Sequence, residues 1–595
     1  MNKGNEVKKI ISIFISIIIF STFLFSTIGD WKSYGDLTTL YDLEFVNNSV
    51  LSATSGGLLE FNQITKKLET YTNTDFLDNI NISKFYVDKY GTYWIGYNSN
   101  PTKITYHTQN GKTKHFDFDF TKISAITSDS TNILIAYEKN STIGIAHFVR
   151  NDDEYSFKDF YDQYPTNLGE IYSLQIFGNN IYIGSENGMF FGNLDNPNLK
   201  PSSSWSIINS NTTKDFYSYN DSLFFTQNNS IYILDNGTQK LFDTGINHYL
   251  SVNFSSNSND LFYANMRQIY IKNGNIWSRI YNTNDNISGI TVSDEKVFIG
   301  LENKGLREIS FDGELISNFI SNSPVFTNSI TFRSMDIDKN GNVYIPHNKG
   351  IDIFRGYYWH NLIKTDSTID VNSTNNSNSF SSDSLAYTLI KSTESVTWDS
   401  HISADGYLYF SLTDYNVDKN YLSYEPVVGP GVFFKLNIND YTEYSLYDTT
   451  DDIFHGTENM GAGTETYIKM RGIAESSTED IWVINPYVGN YKSLVCLKSD
   501  GTVEHYSTET SGTELQLMPN ELIFDKYGRL IIGNTVEQEA LNTEGGITIF
   551  DIENDEWYLI NESNGLADNN VFSVCKDIDG SIWVATSGGV QNFRT

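Results

Sequence analysis

The chain has 595 residues and is strongly acidic, 40 Lys and Arg against 73 Asp and Glu giving a formal charge of −33. Its length suggests several domains or a few large β-domains, and 14% aromatic residues with only 19% charged residues and 10 prolines argue for strand-rich folded structure over disorder. A field this negative repels nucleic acid and anionic lipid, which makes both poor partners in the absence of a local basic patch.

The one basic cluster, Lys3, Lys8 and Lys9, stands before an apolar run from Ile10 to Phe25 that ends in Ser26 and Thr27. A positive start, an apolar middle and small residues are the parts of a secretory signal peptide. Residues 1–29 are therefore expected to be a signal peptide, cleaved between Ser26 and Gly29 to leave a chain starting near Asp30. The run approaches spanning length and has no A-x-A site, so a retained membrane anchor is the alternative. No cysteine adjoins the junction, which speaks against lipid attachment there.

Downstream, a repeat governs the chain. Asp is followed by Gly three residues later and a bulky residue three further on, at Asp88, Gly91 and Trp94; at Asp338, Gly341 and Tyr344; at Asp525, Gly528 and Ile531; and at Asp577, Gly580 and Trp583. Degenerate copies keep Gly406 and Tyr409, or Trp482 alone. Asp and Gly suit a tight turn, because Gly accepts positive φ and Asp bonds the backbone just after it. The bulky residue then opens a short strand. A second turn follows, as at Gly56-Gly57-Leu58, Gly188-Met189 and Gly588-Gly589-Val590. Trp31, Trp205, Trp277, Trp359 and Trp557 share a third phase, on the short strand that ends a unit, and Trp94, Trp482 and Trp583 share the phase of the bulky residue.

Turn positions near 57, 101, 144, 188, 230, 269, 305, 350, 431, 496, 546 and 589 define twelve units, each with room for about four strands. Four-stranded units at this pitch are propeller blades, and the expected fold class is all-β, two consecutive β-propellers. The first, 30–328, has about seven blades; the second, 329–595, has five or more, with insertions at 365–383 and 451–466. A parallel β-helix, the rival, has shorter rungs. The last unit ends after its third strand, whereas Asp30-Trp-Lys-Ser-Tyr34 reads as a fourth strand with no unit before it. Strand 30–34 is accordingly expected to complete the last blade.

The run Asp577-Ile-Asp-Gly-Ser-Ile-Trp583 through Val590, with Asn564-Gly-Leu-Ala-Asp-Asn-Asn-Val571 before it, resembles the two-component regulator propeller repeat. Ile28-Gly-Asp-Trp-Lys-Ser-Tyr34 and Thr54-Ser-Gly-Gly-Leu-Leu-Glu-Phe61 resemble the N-terminal propeller of the PorZ family, accessory proteins of the type IX secretion system. The resemblance extends over essentially the whole mature chain. It implies a non-catalytic protein of the periplasm or outer-membrane surface of a Gram-negative bacterium, acting with envelope proteins that process secreted cargo and attach it to surface lipopolysaccharide. PorZ proteins carry further blades and a C-terminal sorting domain, which the residues up to Thr595 do not include; either the chain is truncated or it is a shorter relative, so export of the protein itself through type IX is not inferred.

Chemistry is sparse. Asp336-Ile-Asp-Lys-Asn-Gly-Asn342 imitates the start of an EF-hand, yet the twelfth position is His347 where a bidentate Glu is needed. Gly461-Ala-Gly463 lacks the strand and helix of a dinucleotide loop. No nucleophile elbow, zinc-protease or Walker sequence occurs, and no catalytic, cofactor or metal residue is expected. The two cysteines, Cys496 and Cys575, fit no metal spacing and read as strand residues. Tyr357, Tyr358, His360 and His455 are the candidates for ligand contact, because they adjoin the insertions and because aromatic faces suit sugar rings. Three functions are expected to compete: an interaction scaffold, a sensor ectodomain built on the same repeats, and an extracellular polysaccharide lyase or hydrolase with acid and base residues gathered at a ring mouth. Direct capture of acidic glycan is disfavoured by the charge.

Overall fold

The structure, a computed structural model, describes residues 32–594 apart from internal stretches, the longest being 325–334, 372–394, 415–431 and 457–469. The signal region therefore lies outside the described residues. The chain divides between Ser321 and Asn322 into two compact units.

The repeat acts through its turns. In the copy at Asp88, one carboxylate oxygen accepts the N–H groups of Tyr90 at 2.9 Å and Thr92 at 3.0 Å. The backbone closes between Gly91 N–H and the Asp88 carbonyl at 2.9 Å, with Gly91 at φ 76°. A side chain bearing Cβ rarely adopts that φ, which explains the Gly. The second carboxylate oxygen accepts the Trp94 indole N–H at 3.4 Å, so one Asp sets both the turn and the first bulky residue of the next strand. The EF-hand-like run folds in the same way: Asp338 accepts N–H groups from Asn340 and Asn342 at 2.8 and 2.9 Å.

The strands assemble into twelve antiparallel sheets, each from one continuous stretch of chain. In the first unit they are blades 1 to 7, at 41–71, 82–120, 122–161, 171–209, 213–244, 251–282 and 287–319. In the second they are blades 8 to 12, at 336–371, 395–447, 472–506, 519–560 and 571–593. The cores lie between neighbouring blades. Trp94 of blade 2 is fully buried against Phe148 and Tyr155 of blade 3, and Trp482 of blade 10 is buried against Phe550 of blade 11. Phe550 in turn stacks on Trp557, a fourth-strand indole, with ring centroids 3.9 Å apart.

The first unit is a closed seven-bladed β-propeller. Each first strand packs on the first strand of the next blade, and that of blade 7 packs on that of blade 1. Leu37, Leu40, Leu43 and Phe61 of the chain's start share one apolar core with Phe298 and Leu306 of blade 7. Phe61 and Phe319 lie 4.2 Å apart, and Gly305 N–H donates to the Thr38 carbonyl at 2.8 Å. Beneath them Glu308, wholly buried, accepts Lys66 of blade 1 at 3.0 Å and Lys296 of blade 7 at 2.5 Å, together with the Ser317 hydroxyl. Burial alone would raise the Glu308 carboxyl; its bonds to Lys296, Ser317 and Lys66 outweigh that and hold it below the usual range. Among the described residues, each blade of this ring comes from one continuous stretch of chain.

In the second unit the first strands of blades 8 to 12 follow one another in the same way. Blade 8 carries a fifth strand, Ile369–Val371, and blade 12 has three strands among the described residues. The expected closure by 30–34 is not found for the described part of that segment. Residues 32–34 form no strand, and the Ser33 hydroxyl bonds Asn73 of the first unit at 2.5 Å; Asp30 and Trp31 lie outside the described residues. Trp398 falls between two short strands of blade 9, Ser395–Val396 and Ser400–Ile402.

Replacing Glu308 by Ala leaves two lysines without their shared anion. Loss of a partner from a buried pair costs about 3–5 kcal/mol, and partial exposure of Lys66 brings the expected cost to about 2–3 kcal/mol. Urea unfolding should show this as a lower midpoint at unchanged slope.

Candidate functional site

The first strands line the channel of the closed ring. Five of them shift register just after their first pair, between Tyr41 and Glu44, Ile82 and Lys84, Ile171 and Ser173, Ser251 and Asn253, and Ile287 and Gly289. Such irregularities re-aim side chains, and here they bring polar residues to one mouth of the ring. Lys84 of blade 2 reaches Asp42 of blade 1 at 3.2 Å. Lys122 of blade 3 pairs with Glu170 at the entry to blade 4. Lys214 of blade 5 lies over the ring of Tyr172 of blade 4, 4.7 Å from its centroid. A cavity of about 420 Å³ opens between them, lined by Lys84, Asn98, Lys122, Ser124, Glu170 and Tyr172 among others.

Deeper in the same channel stands Glu44 of blade 1. Burial, and then the charge of Asp42, push its carboxyl up to about 8. Tyr86 of blade 2 and Tyr217 of blade 5 both sense its charge, which places three blades around one acid. Their hydroxyls are shared with Ser128 at 3.0 Å and Ser256 at 3.1 Å. Burial raises both phenols, Tyr86 to about 12. The first strands of blades 1, 2 and 5 thus bring together a carboxyl that favours its protonated form and two phenols that favour their neutral form.

The candidates read from sequence fall elsewhere. Tyr357 lies outside the described residues. Tyr358 is exposed on the fourth strand of blade 8, and its ring meets His360 edge-on at 4.7 Å; burial, and then Arg355, hold that imidazole below its ordinary range. Trp359 between them is buried, its backbone N–H donating to the Asn322 side-chain oxygen at 2.7 Å. His455 precedes blade 10, where its ring lies 5.7 Å from that of His505 and its carbonyl accepts the Asn485 amide at 3.0 Å. Tyr358 and His360 thus form one small cluster and His455 belongs to another. His347, the twelfth residue of the EF-hand-like run, is buried 3.3 Å from Asp352, whose carboxylate also accepts Asn361 at 2.6 Å. Cys496 is buried and Cys575 exposed, both as free thiols.

Glu44, Lys84, Lys122 and Tyr172 were not legible as a site. The available signal was the phase of the first strand: counting back from each turn glycine locates that strand, and its alternate residues face the channel.

Residues 565–588 match the family model described as the two component regulator propeller. The sequence matches no functionally curated protein. Among solved structures, the chain is similar to the extracellular domain assigned to a one-component system of B. thetaiotaomicron, at 12% identity and TM-score 0.37, over 95% of this chain and 72% of that one. It is similar to PorZ, a surface component of the type-IX secretion system of Porphyromonas gingivalis, at 11% identity and TM-score 0.29, over 95% and 87%. It is also similar to the extracellular domain of a hybrid two-component system of B. thetaiotaomicron, at 13% identity and TM-score 0.29, over 96% and 76%.

Glu44 gives the ring a pH signature. Its folded-state pKa exceeds the ordinary 4.5, so the folded protein holds the proton longer than the unfolded chain does. That stabilisation is complete below pH 4.5 and is lost as pH rises toward about 8. Glu44→Gln should flatten the fall in melting temperature across this window and raise stability at pH 8.

Proposed function

We propose that the protein is an exported, non-catalytic β-propeller scaffold that holds cell-envelope partners, in the manner of the PorZ family in type IX secretion and surface attachment of cargo. The observation that carries this reading is the rim of the first ring. Lys84 with Asp42 and Lys122 with Glu170 are pairs formed across neighbouring blades, and Lys214 over Tyr172 ties a third pair of blades. Such a rim sets lysines and carboxylates in fixed places on the blades beneath it, which suits recognition of a protein surface by complementary charge. The apolar run near the N-terminus supports export, to the periplasm or to the outer-membrane surface. Envelope proteins are the principal partners, with surface polysaccharide or lipopolysaccharide as a further one; the overall charge disfavours nucleic acid.

Glu44 favours a second reading, a polysaccharide lyase or hydrolase, because a carboxyl that keeps its proton near neutrality is equipped as a general acid. The two readings separate in one experiment. Purified full-length protein, its Lys84→Glu/Lys122→Glu variant and Glu44→Gln are each used to recover partners from envelope extract and are assayed on a panel of acidic polysaccharides. The scaffold reading expects secretion or attachment components on the wild type and on Glu44→Gln, their loss from the double variant, and no cleavage by any form. Cleavage of a polysaccharide that Glu44→Gln abolishes would replace it with the enzymatic reading.

A further inference from the structure

The cavity at the mouth of the first ring is built by irregularities in three successive blades. In blades 2, 3 and 4 the first strand leaves one residue out of its pairing with the second, and these residues are Ser83, Ser124 and Tyr172. All three line the cavity. A bulge frees a residue from the ladder and re-aims it, which here sets two hydroxyls and a phenol around one space of about 420 Å³. That volume is within the range of about 300–1,000 Å³ occupied by small-ligand clefts. The Ser83 hydroxyl is buried and has no hydrogen-bond partner among the described residues. Leaving a buried hydroxyl unbonded carries a cost that a ligand atom at this wall would relieve.

The charges around this space are sorted by blade. Ammonium groups come from blades 2 and 3, as Lys84, which is paired with Asp42 of blade 1, and Lys122. Carboxylates come from blade 4 and its entry, as Glu170 and Glu186, the second accepting the Glu170 N–H at 3.4 Å. Tyr172 senses both carboxylates and already holds the Lys214 ammonium over its ring. The blade 4 side therefore attracts a cation by charge and by an aromatic face. Lys122 and Glu170 join the two sides as an ion pair whose side chains are 50% and 45% exposed. A pair so open to solvent is held weakly. A ligand that offers an anion to Lys122 and a cation to Glu170 exchanges this one ion pair for two.

We propose that this cavity binds a small zwitterion, a free amino acid or a short peptide, with its carboxylate at Lys84, Lys122 and the Ser83 hydroxyl and its ammonium at Glu170 beside Tyr172. The chain's formal charge of −33 favours the same class. It repels a ligand that carries only negative charge, whereas a zwitterion has no net charge to repel. A neutral polyol would separate Lys122 from Glu170 without supplying replacement charges. The assignment rests on the scaffold reading in taking the ring mouth for a recognition surface, and it names the chemistry that the mouth receives.

The test uses the full chain. The common L-amino acids and the dipeptides Ala-X are screened for a rise in melting temperature, which binding to the folded state produces, and the best probe is titrated by calorimetry. Saturable binding is expected with a Kd below about 1 mM; whether an amino acid or a dipeptide gives it identifies the source of the zwitterion. N-acetylation and C-amidation of that probe should each weaken binding by about ten-fold or more, the share of a charged hydrogen bond. Lys122→Gln and Glu170→Gln should do the same, and Ser83→Ala should weaken it by about ten-fold. Circular dichroism of these variants should match the wild type, because the altered pair is half exposed. Absence of saturation with every probe, equal binding by the acetylated or amidated form, or unchanged affinity in both charge variants overturns the proposal. Recovery of partners from envelope extract reports separately: its failure with zwitterion binding intact discards the scaffold alone, and the converse discards the zwitterion alone.

Discussion

A four-stranded sheet in a radial array has two apolar faces and can bury both only against neighbours, so each blade depends on the next and the last on the first. This face-to-face packing governs the rest of the structure. It accounts for the indoles that recur in fixed phase: Trp94 and Trp482 sit on second strands, where they bridge to the following blade, and Trp205, Trp277, Trp359 and Trp557 close the outer strands. It also accounts for the ring closure of the first unit. The contact between blades 1 and 7 repeats an ordinary blade contact, reinforced by a buried carboxylate that holds one lysine from each side.

The channel chemistry follows from the same packing. Seven first strands converging on one axis force polar residues from distant parts of the chain into a narrow space. Glu44, Tyr86 and Tyr217 come from blades 1, 2 and 5, and the pKa of the acid rises because burial among the strands, and then the charge of Asp42, disfavour its ionised form. The Lys–carboxylate pairs at the mouth occupy the wider end, where solvent reaches them and where each pair also ties adjacent blades together. Such pairs add little to stability and serve chiefly to fix a pattern of charge.

The fold was readable in advance because its signals are local. Asp88, Gly91 and Trp94 declare a turn and a strand within seven residues, and the structure shows one Asp bonding the turn and the indole together. The site was not readable, because Lys84 meets Asp42, and Tyr217 senses Glu44, only once the ring exists. Tyr358 and His455 stood out by their place beside insertions, and they enter separate clusters. The segment 30–34 shows the same limit from the other side. Its residues carry the pattern of a fourth strand, but a pattern identifies the kind of strand and not its partner, and Ser33 is found beside Asn73.

The first unit closes on itself through ordinary blade contacts. The most direct measurement is the folding of residues 32–321 produced alone. A self-closed ring predicts a monomer with a single cooperative thermal transition and a near-ultraviolet spectrum reflecting fixed packing of its buried Trp94 and Trp205. A chain that aggregates or melts without cooperativity would contradict it, showing that the seven blades need something beyond themselves to form a ring.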